Sequence, residues 1–321
     1  MLNVHLLEEV DGSALAELNA DLDPRIHLTS GATASLDTHI LVGARPARDH
    51  LAACPDLRAV IVPWAGVPEK TRELLRGYPH LALHNLHHNA AATAEMALAL
   101  LLSVAKFIVP IDQKLRAYDW SPRYGSARSI GLQGKTAVIV GYGHIGRRVG
   151  RACRALDMTV LATRRHRLEP DDVAETHSFV DLPQLLPRSQ VLIITAPLTP
   201  ATAGLIGARE LGLLSRGALL VNVGRGTIVD EEALYHALKS GQLAGAGLDV
   251  WYNYPRDEAA QTNTPPSQFP FHELDTVVMS PHRGGDEVGI EAVRMQHLAA
   301  LLNAAARGAE IPNRVNLEAG Y

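Results

Sequence analysis

Short apolar runs alternate with polar or amphipathic stretches through the first hundred residues. Runs rich in β-branched and aliphatic residues predict strands, and they lie at residues 39–42, 59–62 and 81–84. Two stretches, Thr71–Arg76 and Ala91–Phe107, predict helices. This alternation is typical of a parallel α/β domain.

A second alternating series begins near Gly134. Its first predicted strand, TAVIV at residues 136–140, is the continuous β-branched run that a strand buried on both faces requires. Five further strands are predicted at residues 158–162, 191–195, 218–223, 247–250 and 276–280. Helical segments separate most of them, including one that starts after Asp230 as its N-cap and stops at Gly241.

The last helical pattern, Asp286–Ala306, follows the sixth strand of the second series. A chain that leaves a completed α/β domain by a long helix commonly rejoins the domain it came from. We therefore predict a domain of residues 104–285 inserted into another made of residues 1–103 and 286–321. The proline-rich stretch Tyr252–Pro270 predicts a surface loop, and long loops are often functional.

Size, charge and cysteine content narrow the class of protein. The chain has 321 residues, which suggests two domains, and 47% of them are hydrophobic, which supports a folded core. A net charge of −4 argues against nucleic acid or an anionic membrane as a partner. Cys54 and Cys153 cannot form a disulfide framework, and the start MLNVHLLEEV lacks the basic region of a signal peptide. These features favour a cytoplasmic location.

A glycine-rich turn follows the strand at residues 136–140. The stretch Gly141-Tyr-Gly143-His144-Ile145-Gly146 has the spacing GxGxxG and leads into a predicted helix. In that context the first glycine permits a tight turn, the second lets the backbone approach a pyrophosphate, and the third lets helix pack on strand. The free N–H groups of the helix N-terminus favour phosphate. The turn therefore predicts a dinucleotide site.

The end of the next strand distinguishes NAD from NADP. An acid there would bind the ribose hydroxyls of NAD. Here the sequence is Arg164-Arg165-His166-Arg167, and the first acid is Glu169. Arginines attract a 2′-phosphate and can bind it with two hydrogen bonds. The pattern favours NADP over NAD.

Three more polar side chains follow predicted strands of the second series. Arg225, Asp249 and His282 come after separate strands. Ligands bind outside the carboxyl ends of strands in an open parallel sheet, so these residues are expected to converge on the cofactor. An arginine suits a carboxylate substrate, and a histidine suits proton transfer near neutral pH.

With these motifs in view, the sequence resembles the D-isomer-specific 2-hydroxyacid dehydrogenases over nearly its whole length. The matching stretches are Leu132–Gly146, TAPLT at 195–199, VNVGRGTIVDEEAL at 221–234, AGAGLDV at 244–250 and SPHRGG at 280–285. The resemblance implies an α/β fold of two Rossmann-like domains, with the nucleotide-binding domain inserted into a flavodoxin-like substrate domain. It also implies a homodimer that transfers hydride between a nicotinamide and a 2-oxo or 2-hydroxy acid.

The resemblance further implies roles for single residues. Arg225 would bind the substrate carboxylate and carbonyl, His282 would be the acid–base, and backbone N–H groups at Trp64, Ala65 and Gly66 would hold the carboxylate. The candidate cofactor contacts include the glycine turn, the arginine pair Arg164 and Arg165, and the three residues Arg225, Asp249 and His282. Further candidate contacts are Pro197, Thr202, Val223 and Gly284.

One position departs from the family pattern. The family has a glutamate before the proline that follows the LDV strand, and it pairs with the histidine. Here Tyr254 precedes Pro255, and a tyrosine is neutral at pH 7. We take Tyr254 as the third candidate catalytic residue and expect a lower pKa for His282 than a glutamate would give. Asp257 or Glu258, in the loop that follows, could replace the missing carboxylate, although a solvated loop is the simpler reading.

Other functions stay open at this level. Relatives that oxidise formate carry a neutral glutamine at the position of Tyr254, so hydride removal without acid–base catalysis is one alternative. A dinucleotide-sensing dimer without turnover is another. A metal site is not predicted, because His84, His87 and His88 lack an identifiable third ligand and supporting shell.

Overall fold

The structure is a computed structural model, and it describes residues 1–8, 10–125, 129–165 and 172–318. His166, Arg167 and Glu169, which bear on the cofactor prediction, lie outside the described residues. The chain divides into two compact units, each described by itself below.

Unit 1 consists of Met1–Asn89 and Glu287–Tyr321, and unit 2 of Ala90–Asp286. The first boundary differs from the predicted one at residues 103 and 104. The difference arises because Ala90–Lys106 is a single helix that packs on the strands of unit 2, so a boundary inside it would cut one rigid element.

Unit 1 is built on a five-stranded parallel sheet in the order β2-β1-β3-β4-β5. This 2-1-3-4-5 order is that of flavodoxin-like domains. Its first elements, in chain order, are β1 (Leu2–Leu6), α1 (Gly12–Asp21), β2 (Ile26–Ser30), β3 (Ile40–Val42), α2 (Arg48–Ala52), β4 (Ala59–Val62), α3 (Glu69–Arg76) and β5 (Ala82–Asn85).

Unit 2 contains a second parallel sheet. Its elements are α4 (Ala90–Lys106), α5 (Ile108–Arg116), α6 (Ser121–Tyr124), β6 (Thr136–Val140), α7 (His144–Ala155), β7 (Thr159–Arg164), β8 (Glu175–Ser178), α8 (Leu182–Leu185), β9 (Val191–Ile194), α9 (Ala208–Leu213), β10 (Ala218–Asn222), α10 (Glu231–Lys239), β11 (Leu243–Leu248) and β12 (Val277–Met279). Short 3-10 turns lie at Phe179–Asp181, Leu186–Arg188, Gly226–Ile228 and Phe271–Glu273.

The sheet of unit 2 runs β12-β11-β10-β9-β6-β7-β8. The first six strands in chain order follow the Rossmann order 3-2-1-4-5-6, and β12 extends one edge. The predicted fold class is confirmed. The prediction of six strands was wrong because β8, with the sequence ETHS, is a polar edge strand without an apolar run.

The chain returns to unit 1 through α11 (Ile290–Ala306), which packs on α1. This helix begins four residues later than predicted. Gly289, with φ +82°, precedes its first turn in a backbone conformation that a helix cannot continue. Before it, Asp286 forms an ion pair with Arg283.

Glycines in β11 allow α4 to lie close against the sheet of unit 2. A Cβ added at Gly247 would lie 2.7 Å from Leu100 Cβ, and one at Gly245 would lie 2.7 Å from Val104 Cγ1. Leu100 and Val104 are buried residues of α4, so the glycines of the AGAGL stretch allow this helix to pack closely on β11. The contact fixes the strand whose end carries Asp249.

No single helix among the described residues is long and apolar enough to cross a membrane. Helices α4 and α5 meet the length and composition criteria only when they are taken together across a 67° bend.

Candidate active site

The glycine turn after β6 is shaped by close backbone contacts. Gly141 has φ +101°, and a Cβ there would lie 2.5 Å from Ala196 N. A Cβ at Gly146 would lie 2.3 Å from the Gly141 carbonyl oxygen, which accepts a 2.6 Å hydrogen bond from the Thr195 hydroxyl. A Cβ at Gly143 would meet nothing within 4 Å, so the backbone there is open to a ligand.

These features fit a dinucleotide. Helix α7 starts at His144 with Gly143 as its N-cap, so its first-turn N–H groups, from His144 and Ile145 onward, lie next to Gly143. The N–H groups of Gly141 and Tyr142 both donate to Thr163 O at 2.9 Å and tie the turn to the end of β7. A pyrophosphate would be held by this turn and the helix N-terminus.

Two arginines stand where β7 ends. Arg164 is the last residue of β7 and Arg165 follows it, and both are half-buried. The described part of this segment therefore presents positive charge beside the glycine turn, where a ribose phosphate would lie in a Rossmann domain.

Arg225 is held in a fixed turn after β10. The Asn222 side chain bridges this turn, because its Oδ1 accepts from Gly224 N and its Nδ2 donates to Arg225 O, each at 3.0 Å. A Cβ at Gly226 would lie 2.3 Å from the Trp251 carbonyl oxygen, and one at Gly224 would lie 2.6 Å from the Ala196 carbonyl oxygen. The flanking glycines thus provide close packing, and the Arg225 side chain remains exposed.

Asp249, directly after β11, holds the loop that carries His282. Its Oδ1 accepts from the Ser280 hydroxyl at 2.6 Å and from Arg283 N at 2.9 Å, and its Oδ2 accepts from Gly284 N at 2.8 Å. Between these anchors His282 has φ +59°, a left-handed conformation that is uncommon for a residue with a side chain. The buried carboxylate of Asp249 stabilises this backbone conformation of His282. A contact between Asp249 and the cofactor stays a prediction.

Tyr254 faces His282. Its hydroxyl lies 3.0 Å from His282 Nδ1 and accepts from Trp251 N at 3.1 Å. The two rings are 5.5 Å apart between centroids. Tyr254 is thus the side chain that hydrogen-bonds to His282.

The charges around the pair come from the other turns of the site. Burial lowers the pKa of His282, Arg225 lowers it further, and Asp249 opposes them. Burial raises the pKa of Tyr254, while the Trp251 N–H and Arg225 lower it and Asp249 raises it. Burial and Arg225 thus both favour the neutral form of the histidine.

The long loop before β12 is tied down by hydrogen bonds of its own. Residues 252–270 contain neither helix nor strand, and Glu231 Oε1 anchors the loop by accepting from Ser267 Oγ at 2.6 Å and Gln268 N at 2.9 Å. Asp257 Oδ1 accepts from Ala260 N within the loop at 3.0 Å. The carboxylate of Asp257 thus stabilises a local turn, and Tyr254 is the partner of His282.

Four other candidate cofactor residues lie in the turns of unit 2. Pro197 is exposed after β9, and Val223 is buried after β10. The Thr202 hydroxyl is buried and donates to Pro197 O at 2.6 Å, so it stabilises the turn itself. Gly284 donates to Asp249, and a Cβ there would lie 2.7 Å from Asp249 Oδ2.

The predicted carboxylate loop of unit 1 lies at the carboxyl edge of its sheet. Trp64 O accepts from Leu86 N at 3.2 Å, and Ala65 O accepts from the Asn85 side chain at 2.6 Å. These bonds use carbonyl oxygens of the loop and fix it against the end of β5. The role of Trp64, Ala65 and Gly66 in substrate binding stays a prediction.

No group of three or more histidine, cysteine or acidic side chains in the described ranges could hold a metal ion. His84 Nδ1 pairs with Pro312 O at 2.8 Å. Burial, with smaller contributions from Arg294 and His297, lowers the pKa of His88 to about 4.

Sequence reasoning missed three residues that position the site, namely Asn222, Trp251 and Ser280. Asn222 ends an apolar strand, and a polar residue at such a place could have been noticed because buried amides need partners. The indole of Trp251 donates to Ser280 O at 2.8 Å, which adds a second anchor to the loop of His282.

Residues 98–284 match the family model described as D-isomer specific 2-hydroxyacid dehydrogenase, NAD binding domain. The chain is 35% identical over 233 residues to D-3-phosphoglycerate dehydrogenase of Archaeoglobus fulgidus, a match that covers 71% of this chain and 41% of the relative. It is 35% identical over 228 residues to glyoxylate reductase of Korarchaeum cryptofilum, covering 70% and 66%. The match thus spans less than two thirds of either relative.

Solved structures share the whole architecture. A D-isomer specific 2-hydroxyacid dehydrogenase from Xanthobacter autotrophicus Py2, in complex with NADPH and MES, aligns with a TM-score of 0.80 at 22% identity and covers 99% of both chains. A probable 2-hydroxyacid dehydrogenase from Rhizobium etli CFN 42 aligns with a TM-score of 0.80 at 19% identity, covering 100% of this chain and 99% of the other. At such identities the likeness establishes the fold.

Proposed function

Because the chain belongs to the D-isomer-specific 2-hydroxyacid dehydrogenase family, we propose that it reduces a small 2-oxo acid to the D-2-hydroxy acid with a nicotinamide dinucleotide. The observation that carries the proposal is the grouping of Arg225, His282 and Tyr254. They come from three turns at one edge of the unit 2 sheet, and each of the two rings is in the electrostatic field of the arginine. A relative named glyoxylate reductase makes glyoxylate the first substrate to test.

Each of these side chains is chemically suited to one role in the proposed reaction. The guanidinium of Arg225 presents a planar fork that can bind the substrate carboxylate and polarise the adjacent carbonyl. Nδ1 of His282 is taken by Tyr254, which leaves Nε2 as the nitrogen that gives a proton to the carbonyl oxygen. The turn at Gly141, Gly143 and Gly146 would hold the dinucleotide, which supplies the hydride when bound.

The activity is tested by following nicotinamide absorbance with a panel of substrates. The panel contains glyoxylate, hydroxypyruvate and larger 2-oxo acids, their D- and L-2-hydroxy acids, and formate. Reduction of a 2-oxo acid to the D product supports the proposal. Turnover of formate alone would replace it with hydride removal without acid–base catalysis. Cofactor binding without any turnover would favour the alternative of a dinucleotide-sensing dimer.

We propose NADP as the preferred cofactor because Arg164 and Arg165 stand where an acid would bind the ribose of NAD. We expect NADPH to bind at least tenfold more tightly than NADH, since charge-assisted hydrogen bonds contribute about 1.5–3 kcal/mol. Arg164→Asp should reverse the preference. Fluorescence titration of both cofactors measures it, with Arg151→Asp on α7 as the matched charge control. Equal affinities in the unaltered protein would contradict the proposal.

We propose that the protein forms a homodimer through α5 and the segment after it. Helix α5 has no buried residue, and Ile111 and Leu115 are 37% and 46% exposed. Tyr118 and Trp120 are 91% and 60% exposed. A contiguous apolar surface of this kind usually marks an interface between proteins.

The double substitution Ile111→Glu and Leu115→Glu should convert the dimer to a monomer, because it places two charges inside the apolar interface. Light scattering during size-exclusion chromatography measures the mass. Val180→Glu, at an 80% exposed apolar residue on another face of unit 2, is the control and should leave the mass unchanged. A dimer that survives the double substitution would place the interface elsewhere.

A cytoplasmic location forms part of the same proposal. Both thiols, at Cys54 and Cys153, are buried and free, and burial raises the pKa of Cys153 to about 12. Free thiols of this kind are typical of proteins in a reducing compartment.

A further inference from the structure

The hydroxyl of Tyr254 makes two hydrogen bonds. Its oxygen accepts from Trp251 N at 3.1 Å, and its second bond, 3.0 Å long, joins it to His282 Nδ1. Among the residues that the structure describes, these are the two bonds that the hydroxyl makes. With Trp251 donating to the oxygen, the phenolic hydrogen is free to donate to Nδ1 when that nitrogen is unprotonated. The neutral ring then carries its hydrogen on Nε2.

This arrangement reverses the polarity that a carboxylate would impose. An ionised glutamate can only accept, so it would hold the hydrogen on Nδ1 and stabilise the doubly protonated ring. A phenol can donate to Nδ1 and stabilises the neutral ring with Nε2–H. With such a donation, the neutral histidine would keep a proton on Nε2, the nitrogen that Tyr254 leaves open.

We propose that Tyr254 is a proton-relay residue, which gives its hydroxyl proton to His282 Nδ1 as His282 Nε2 gives its own proton to the carbonyl oxygen of the substrate. The inference rests on the proposed reduction of a 2-oxo acid. It deepens that function by assigning the source of the proton to a side chain that replaces a carboxylate.

The step balances in bonds and charge. The Tyr254 O–H and His282 Nε2–H bonds break, and new bonds form between hydrogen and Nδ1 and between hydrogen and the substrate oxygen. The carbonyl carbon is reduced by the hydride of the bound dinucleotide. The products are an alcohol, a neutral imidazole with its hydrogen on Nδ1, and a tyrosinate. One proton from solvent, taken at Nε2 while the Nδ1 proton returns to the phenol, restores the pair.

Burial, the largest influence, raises the pKa of Tyr254, so a tyrosinate would form only transiently. Two neighbours favour negative charge on its oxygen, since the Trp251 N–H donates to it and Arg225, from the turn after β10, acts to lower its pKa, while Asp249, after β11, acts to raise it. On the histidine loop itself, Arg283 and Asp286 neutralise each other as an ion pair. Tyr254 is 46% exposed, so water can return the proton.

The relay predicts a distinct dependence on pH. The pKa of His282 lies below its ordinary value, so a mechanism that needs the charged ring would lose rate as pH rises through that low pKa. The relay uses the neutral ring and continues above it. Reduction then falls only as pH approaches the pKa of Tyr254, which burial raises.

The test compares kcat for reduction across pH in the unaltered protein, Tyr254→Phe and Tyr252→Phe. At about pH 8.5, Tyr254→Phe should lower kcat by about 100-fold, a size typical of lost proton transfer, and the deficit should shrink to less than about 10-fold at pH 5.5. Tyr252→Phe is the matched control, because its hydroxyl donates to Val229 O at 3.1 Å. It should leave the profile unchanged. Parallel profiles for the unaltered protein and Tyr254→Phe would overturn the relay.

A second measurement does not depend on turnover. Nitrogen-15 NMR of His282 near pH 7.5 should show hydrogen on Nε2 in the unaltered protein and a mixture of tautomers in Tyr254→Phe. Tyr254→Glu should move the hydrogen to Nδ1 and raise the pKa of His282. Hydrogen on Nδ1 in the unaltered protein would overturn the inference. A protein that shows the expected tautomer but reduces no 2-oxo acid would instead refute the proposed function.

Discussion

Arg225→Ala is expected to lower kcat/KM for a 2-oxo acid by about 1,000-fold, at the upper end of what one removed oxyanion donor costs. The guanidinium lies in the turn after β10, exposed and next to the His282–Tyr254 pair, and its Nη1 donates to Gly224 O at 2.7 Å. Its removal takes away the charge that would bind the carboxylate and polarise the carbonyl. The affinity for NADPH should change by less than about threefold, because the glycine turn lies after a different strand.

Arg225→Lys should recover little of the activity, since an ammonium cannot reproduce the planar fork. The control is Arg209→Ala, an exposed arginine on α9. Steady-state kinetics give kcat/KM, and fluorescence titration gives the cofactor affinity. If Arg225→Ala kept more than a tenth of the activity, the substrate carboxylate would have to be bound elsewhere. A parallel loss of cofactor affinity would show that the turn itself had collapsed.

Asp249→Ala is expected to destabilise the protein and to inactivate it. Its carboxylate accepts from Ser280 Oγ, Arg283 N and Gly284 N, and the residue is 1% exposed. Removing it leaves three donors without an acceptor, so the free energy of unfolding should fall by about 3–5 kcal/mol. The left-handed backbone of His282 would lose its support, and kcat/KM should fall by about 100-fold or more.

Asp249→Asn separates the two effects. The amide keeps the acceptor for Ser280 Oγ and Arg283 N but faces the Gly284 N–H with a donor, so we expect a loss of about 1–3 kcal/mol in a folded protein. Its kcat/KM should lie between those of Asp249→Ala and the unaltered protein. Denaturant unfolding and kinetics are measured on the same samples.

Asp230→Ala is the control for both Asp249 variants. It removes a carboxylate that caps α10 by accepting from Ala233 N at 2.8 Å. This variant should lose about 1 kcal/mol and keep its activity. Full activity in Asp249→Asn would mean that His282 does not depend on this anchor.

The sequence determined the fold class and the positions of the reactive side chains wherever these follow from a local pattern of residues. The strands at 59–62 and 136–140 were placed to the residue, because runs buried on both faces consist of apolar side chains alone. The polar edge strand β8 was missed because an edge strand need not be apolar. The GxGxxG turn could be interpreted from sequence because a Cβ at Gly141 or Gly146 would clash with nearby backbone, while Gly143 leaves the backbone open.

The tertiary structure decided how those positions act on one another. Nothing in the order of residues shows that Asn222 spans the turn of Arg225 or that Asp249 holds the loop of His282, because these bonds join strand ends brought together only when the sheet forms. The sequence identified Tyr254 as a departure from the family. Its 3.0 Å bond to Nδ1 and the N–H from Trp251 depend on the path of the loop, which brings the phenol to the histidine. Local patterns record what a residue needs from its neighbours in the chain, whereas the direction of a proton depends on partners from distant segments.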